Sequence, residues 1–153
     1  MALRFSAFIL SCLLVPAQEI RVVDSEKEIV IFQGDTDILT YHKTEVAPPE
    51  GTKETYRRSG FIHPLKSPKG GIVTGIHPSD HLHHLGLWHA WVKSKHGKDQ
   101  PDFWNLGKGS GRVRFLKLLK RNATGFTVEQ EQVALKGSQR EETMILKEAL
   151  SIS

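Results

Sequence analysis

Short stretches rich in β-branched and aromatic residues recur along this chain, each ended by residues that break regular structure, and none holds a helical period over a convincing length. The strand-like segments are Glu19–Val23, Glu28–Gln33, Asp37–Tyr41, Gly60–Pro64, Gly71–Thr74, Gly86–Val92, Arg112–Leu119, Gly125–Leu135 and Thr143–Ile152. Between them stand Pro48-Pro49-Glu50-Gly51, Ser67-Pro68-Lys69-Gly70-Gly71 and Gly107-Lys108-Gly109-Ser110-Gly111. Proline removes a backbone donor and glycine reaches conformations closed to other residues, so these clusters interrupt strands and favour turns. The order predicts a mostly β chain folded as an antiparallel β-sandwich. The best helical rival is Arg112–Arg121, but its β-branched and aromatic residues and the glycines before it favour a strand.

The chain ends on Ala149-Leu150-Ser151-Ile152-Ser153, inside an apolar pattern with no turn, cap or polar tail. This predicts that residues 18–153 form the N-terminal part of a single β-sandwich domain, a piece of a larger sandwich. Residues 1–17 read differently. Arg4 precedes an apolar run from Phe5 that closes on Val15-Pro16-Ala17, a small residue where signal peptidase cuts. The run is too short for a membrane span, which needs about 20 apolar residues. Ile9-Leu10-Ser11-Cys12 faintly resembles a lipoprotein box, but the apolar run continues past it. A cleaved signal peptide, a mature start near Gln18 and a secreted or periplasmic protein are therefore expected, with no membrane span in the mature chain.

Removing residues 1–17 takes away Arg4 and the only cysteine, leaving 20 basic against 17 acidic side chains, a formal charge of +3. Without disulfides the mature chain relies on a hydrophobic core, which a chain of its length can build as one domain. The positive charge is spread along the sequence and gives no basis for nucleic-acid binding. Its densest stretch, Arg112–Arg121, interleaves with Val113, Phe115, Leu116, Leu118 and Leu119, the pattern of a half-buried element with a solvated face.

Five of the eight histidines fall between His77 and His89, in a run that also holds Asp80. Imidazole is the commonest side-chain metal ligand and titrates nearest neutral pH, so such clustering suits metal binding or proton transfer. If Asp80–His84 were extended, His81 and His83 would share one face while Asp80 and His84 took the other. A loop, favoured by Pro78 and Ser79-Asp80, would let all four converge. Asp80, His81, His83 and His84 are the candidate catalytic residues. His63, His81 and His83 are the candidate ligands of a divalent metal ion. The run lacks the His-Glu-x-x-His spacing of a zinc helix, so it names neither a metal nor a reaction. Isolated His42 and His96 read as ordinary surface residues.

Aromatic residues flank the cluster. Trp88, Trp91 and Trp104 are candidate substrate-binding residues, because an indole packs on the C–H face of a sugar whose hydroxyls take hydrogen bonds from histidine and carboxylate. In a strand Trp91 lies on the face of His89 and Trp88 on the other, so one of the pair is expected in the core.

Gly60-Phe61-Ile62-His63-Pro64-Leu65, Ser67-Pro68-Lys69-Gly70, Asp80-His81-Leu82-His83-His84-Leu85-Gly86-Leu87-Trp88 and Asp102-Phe103-Trp104 together resemble, in order and approximate spacing, blocks of the secreted bacterial proteins labelled the PmoA family, methane-oxygenase-like by label. The resemblance spans about Glu19 to Ser153 and covers the first half of a usual member. It carries over to His63, Asp80, His81, His83, His84, Trp88 and Trp104, with Leu82 where proline is more usual. It implies a large β-sandwich and a carbohydrate-related role, since such proteins keep genomic company with sugar oxidoreductases and polysaccharide-degrading proteins. The label itself would imply a multi-span membrane subunit, and nothing after Ala17 is apolar for long enough to span.

Three functions follow as expectations. The first is an exported hydrolase or lyase acting on a carbohydrate or glycoside through the His/Asp cluster, as acid/base groups or metal ligands. The second is a non-catalytic carbohydrate-binding module in which the tryptophans carry affinity. The third is an iron- or copper-dependent oxygenase, as the family label suggests.

Overall fold

Glu28-Ile29-Val30-Ile31 buries Ile29 and Ile31 and leaves its other side chains part-exposed, because successive residues of a strand point to opposite faces of a sheet. The same logic runs through the computed structural model, which describes residues 18–136 and 141–153. The reading of residues 1–17 as a signal peptide, Cys12 included, lies outside the described residues.

Five strands form one antiparallel sheet in chain order: β1 (Ile20–Asp24), β2 (Glu28–Gln33), β3 (Thr36–His42), β4 (Phe61–Leu65) and β5 (Leu87–Trp88). Three longer strands form a second antiparallel sheet, β6 (Gly111–Arg121), β7 (Phe126–Lys136) and β8 (Glu141–Ile152). The expected mostly β, sandwich-like architecture is what the chain adopts, and β6 is a strand rather than a helix. Among the described residues no helix is long and apolar enough to cross a membrane.

The sheets share a core of Ile29, Ile31, Leu39, Tyr41 and Ile62 from the first with Phe126 and Val128 from the second. Tyr41 sits at its centre, edge-on to Phe126 and Phe115 at centroid distances of 5.5 and 6.2 Å. Polar bonds pin the docking. Buried Gln130 of β7 donates from Nε2 to the Tyr41 hydroxyl at 2.7 Å and to the Gly60 carbonyl at 2.9 Å. Gly60 has φ +73°, and a Cβ there would lie 2.6 Å from that Nε2, so only glycine admits the contact.

Two expected strands differ. Gly71–Thr74 is an extended loop tied to its neighbour by a single bridge, Lys66 to Ile72, with Ile72 and Val73 exposed. Gly86–Val92 keeps only Leu87 and Trp88 in the sheet, paired with Ile62 and Phe61. Beyond them the His89 carbonyl accepts from the Arg58 guanidinium at 2.6 Å, which draws the chain off the sheet. The long connections 66–86 and 89–110 thereby become free to build a site beside β5.

Candidate functional site

The histidine run is a closed loop. Gly86 donates to the Gly75 carbonyl at 2.7 Å, Ile76 bridges Leu85, and His77 donates to the His84 carbonyl at 2.8 Å, so residues 75–77 and 84–86 form a short ladder. Two turns fold its tip: His81 N–H to the Pro78 carbonyl and His84 N–H to the His81 carbonyl, both 2.9 Å. His77, at φ +49°, closes the loop from inside by donating Nδ1 to the Leu82 carbonyl at 2.6 Å. Fully buried Leu85 anchors one leg in the core. Gly86, at φ +60°, then passes so close to β4 that a Cβ would lie 2.1 Å from the Ile62 carbonyl oxygen.

This folding packs three imidazoles together. The second turn stacks His81 on His84, with centroids 4.8 Å apart and planes 22° from parallel. His83 meets His84 edge-on at 4.5 Å and His81 at 5.8 Å. The aromatics close around them: Trp104 lies 4.3 Å from His83 and 5.6 Å from His84, and Trp88 lies 5.3 Å from His84. The loop thus brings together His81, His83, His84, Trp88 and Trp104, although in a partition that strand parity does not give.

The three rings occupy different environments. His81 is half-exposed, with 51% of its side chain accessible, and its Nδ1 lies 3.0 Å from Oδ2 of the still more exposed Asp80. That contact and the charge of the neighbouring histidines hold the Asp80 carboxyl below its ordinary range. His83 is 9% exposed and its Nε2 is enclosed without a hydrogen-bond partner. Burial first, then the neighbouring His84 and His81, push the His83 pKa down, and the Asp102 charge opposes them only in part. His83 is therefore a neutral ring wedged between its neighbours and Trp104.

Asp102, which sequence reasoning passed over as a site residue, organises the second wall. Its Oδ1 accepts the N–H groups of Trp104 (3.0 Å) and Asn105 (2.8 Å), and Oδ2 takes Lys108 Nζ at 2.7 Å. Burial raises its pKa, and these donors more than offset the rise, so it stays ionised below the usual carboxylate range. An aspartate opening a tight turn is the signal that would have found it. The turn sets Trp104 against His83.

His63 and Trp91 stand apart from the ring cluster. His63 Nδ1 lies 2.9 Å from the Thr74 hydroxyl, and its carbonyl accepts from His42 Nε2 at 2.6 Å. His42 also stacks on Phe61 at 4.6 Å, so it is a packed residue of the β3–β4 pair rather than a lone surface one. Exposed His96 closes a small turn with Asp99. Trp91, 49% exposed, donates its indole N–H to Glu148 of β8 at 2.7 Å and meets His89 edge-on at 5.5 Å. Among the described residues no three histidine, cysteine, aspartate or glutamate side chains are grouped to hold a metal ion. His63, His81 and His83 thus do not form a common ligand set.

The environment of His83 sets a pH dependence. Its folded-state pKa is depressed, as is that of His63, where burial acts first and His42 second. The unfolded chain therefore takes up protons on these rings before the folded chain does. Stability is expected to be unaffected by them well above about pH 6.5, to fall as pH drops through that value, and to level below the depressed folded-state values. Urea titrations between pH 7.5 and 5 check this, with His83→Phe flattening part of the slope. A slope that His83→Phe leaves unchanged would show that His83 is not responsible.

No curated protein and no solved structure matches the chain. Residues 28–153 match the model of a family described as a family of unknown function (DUF6807), covering β2 to β8 and the whole histidine loop, and the chain belongs to that family.

Proposed function

We propose that the chain is an exported protein acting on a carbohydrate, with His81 as the acid/base group of a hydrolase or lyase. The observation that carries this reading is the Asp80–His81 contact at 3.0 Å, with His81 stacked on His84, the ring that Trp88 and Trp104 flank. A carboxylate accepting from Nδ1 selects the tautomer in which Nε2 carries the lone pair, and it steadies the imidazolium once a proton arrives. His81 reaches solvent, as a proton-transfer group must, whereas His83 is enclosed and serves as the packing wedge that fixes the pair. Trp88 and Trp104 supply the apolar faces against which a sugar ring packs. Export rests on the apolar run before Ala17, and the carbohydrate class on the aromatic walls and on the resemblance to the PmoA-labelled proteins.

A non-catalytic binding module is the second reading, favoured by Trp91, whose half-exposed indole is held by Glu148 as a platform. The metal and oxygenase readings have less support, because among the described residues the donor groups do not fit a three-residue ligand set.

The test is to incubate the purified chain with a panel of oligosaccharides, with and without a chelator. New reducing or unsaturated ends, released equally in both, are expected. Binding without any product would favour the module, and release abolished by the chelator and restored by a divalent ion would favour the metal reading.

A further inference from the structure

A cavity of about 510 Å³ opens between the segment after β5 and the Asp102 turn. Val92, Lys93, Lys95, Gln100, Asp102 and Lys108 line it. The segment doubles back there through two hydrogen bonds between the backbones of His96 and Asp99, both 3.0 Å, so residues on each side of that turn reach one cavity.

Its charge is unbalanced. Three lysines and one aspartate line it, and the aspartate carboxylate is committed: Oδ1 to two backbone N–H groups and Oδ2 to Lys108. Among the described residues Lys93 and Lys95 have no acidic partner. The cavity therefore carries two uncompensated positive charges, with Gln100 and Ser94 as neutral hydrogen-bonding groups and Val92 as an apolar one. Its volume falls in the range of small-molecule sites, large enough for one or two sugar rings.

Asp102 joins this cavity to the cluster. It lines the cavity, its Oδ1 holds the Trp104 N–H, and Trp104 lies 4.3 Å from His83. We propose that the lysine cavity is a subsite for the anionic group of an acidic saccharide, a carboxylate or a sulfate, bound by Lys93 and Lys95 while the rest of the sugar extends toward Trp104. The proposal rests on the carbohydrate reading and narrows it to acidic sugars. Exposed ammonium groups on flexible stems suit this task, since each donates to an oxyanion without a fixed fork geometry.

The experiment is calorimetric titration of the whole chain at low ionic strength with four probes. These are a uronic-acid oligosaccharide, its neutral methyl ester, a sulfated oligosaccharide of the same length, and inorganic sulfate. One of the two acidic saccharides is expected to bind roughly ten-fold or more tightly than the ester, and which one identifies the anionic group. That preference should weaken with added salt, as screened charge pairs do. Lys93→Gln with Lys95→Gln should abolish it, and because both side chains are exposed the double variant should fold normally. Equal binding of acidic and neutral saccharides, a preference untouched by the double substitution, or binding of inorganic sulfate as strong as that of the sulfated saccharide would overturn the subsite. His81→Gln separates the two ideas. If it leaves both turnover and the anion preference intact, the catalytic reading falls and the subsite stands. If it removes turnover while acid and ester bind alike, the subsite falls and the catalytic reading stands.

Discussion

His81→Gln is expected to reduce turnover on any saccharide the chain processes by roughly 100- to 10,000-fold, the usual contribution of a positioned acid/base group. Glutamine keeps a hydrogen-bonding side chain of similar reach but neither accepts nor releases a proton near neutral pH. The substitution should cost little stability, within about 0.5 kcal/mol, because the ring is half-exposed and its partner Asp80 is at the surface. Binding of saccharide should survive, so the loss should fall on kcat rather than KM. Asp80→Asn should act in the same direction with a smaller effect, since it removes the carboxylate that selects the tautomer while leaving the ring in place. Steady-state kinetics of both variants beside unfolding curves decide the matter. Turnover unchanged in His81→Gln would remove His81 from the chemistry.

Arg58→Ala is expected to lower the unfolding free energy by about 3–5 kcal/mol, a large share of the 5–15 kcal/mol typical of a domain. Arg58 is fully buried, yet among the described residues no carboxylate is hydrogen-bonded or ion-paired to its guanidinium. It donates to the backbone carbonyls of His89 at 2.6 Å and Phe103 at 3.4 Å, while Nε has no partner. Burial pulls its pKa down to about 9, partly opposed by the charges of Tyr41 and Glu148, so it remains cationic at neutral pH. Truncation leaves the buried Phe103 carbonyl and the part-buried His89 carbonyl unpaired, at up to about 1–3 kcal/mol each, and opens a cavity. Relief of the buried charge offsets part of that cost. Arg58→Met fills most of the volume without restoring donors, so its smaller loss isolates the hydrogen-bonding share. The two carbonyls belong to the segments that carry Trp88 and Trp104, and saccharide affinity should therefore fall alongside stability. A loss below about 1 kcal/mol on chemical denaturation would show that Arg58 is not the clamp between these segments.

The strands that sequence reasoning placed best are those whose partners are adjacent in the chain. β2, β3, β6, β7 and β8 each carry their own apolar periodicity and pair with a sequence neighbour, as β7 does with β8 from Phe126–Ile152 through Lys136–Glu141. Gly71–Thr74 has the composition of a strand but acquires only one bridge, beside the end of β4, where Val73 donates to the Leu65 carbonyl at 2.9 Å. Gly86–Val92 was shortened by a distant residue, Arg58, whose claim on the His89 carbonyl has no local signature.

The candidate site divides along the same line. Residue types and their density were enough to single out His81, His83, His84, Trp88 and Trp104 as candidates, since clustered imidazoles and indoles are rare and chemically distinctive. Their roles within the site were not legible. Strand parity paired His81 with His83, whereas two tight turns stack His81 on His84 and bury His83 against Trp104. Asp102 and the lysine cavity depend on three segments meeting, and a charge map along the sequence cannot show which lysines share a space with a carboxylate already spent on other donors. Local composition and periodicity determined which residues enter sheets and which histidines gather in one loop, because both follow from spacing along the backbone. Tertiary structure alone decided which ring reaches solvent, which is enclosed and which charges stay uncompensated, because burial and pairing are set by residues far apart in the chain.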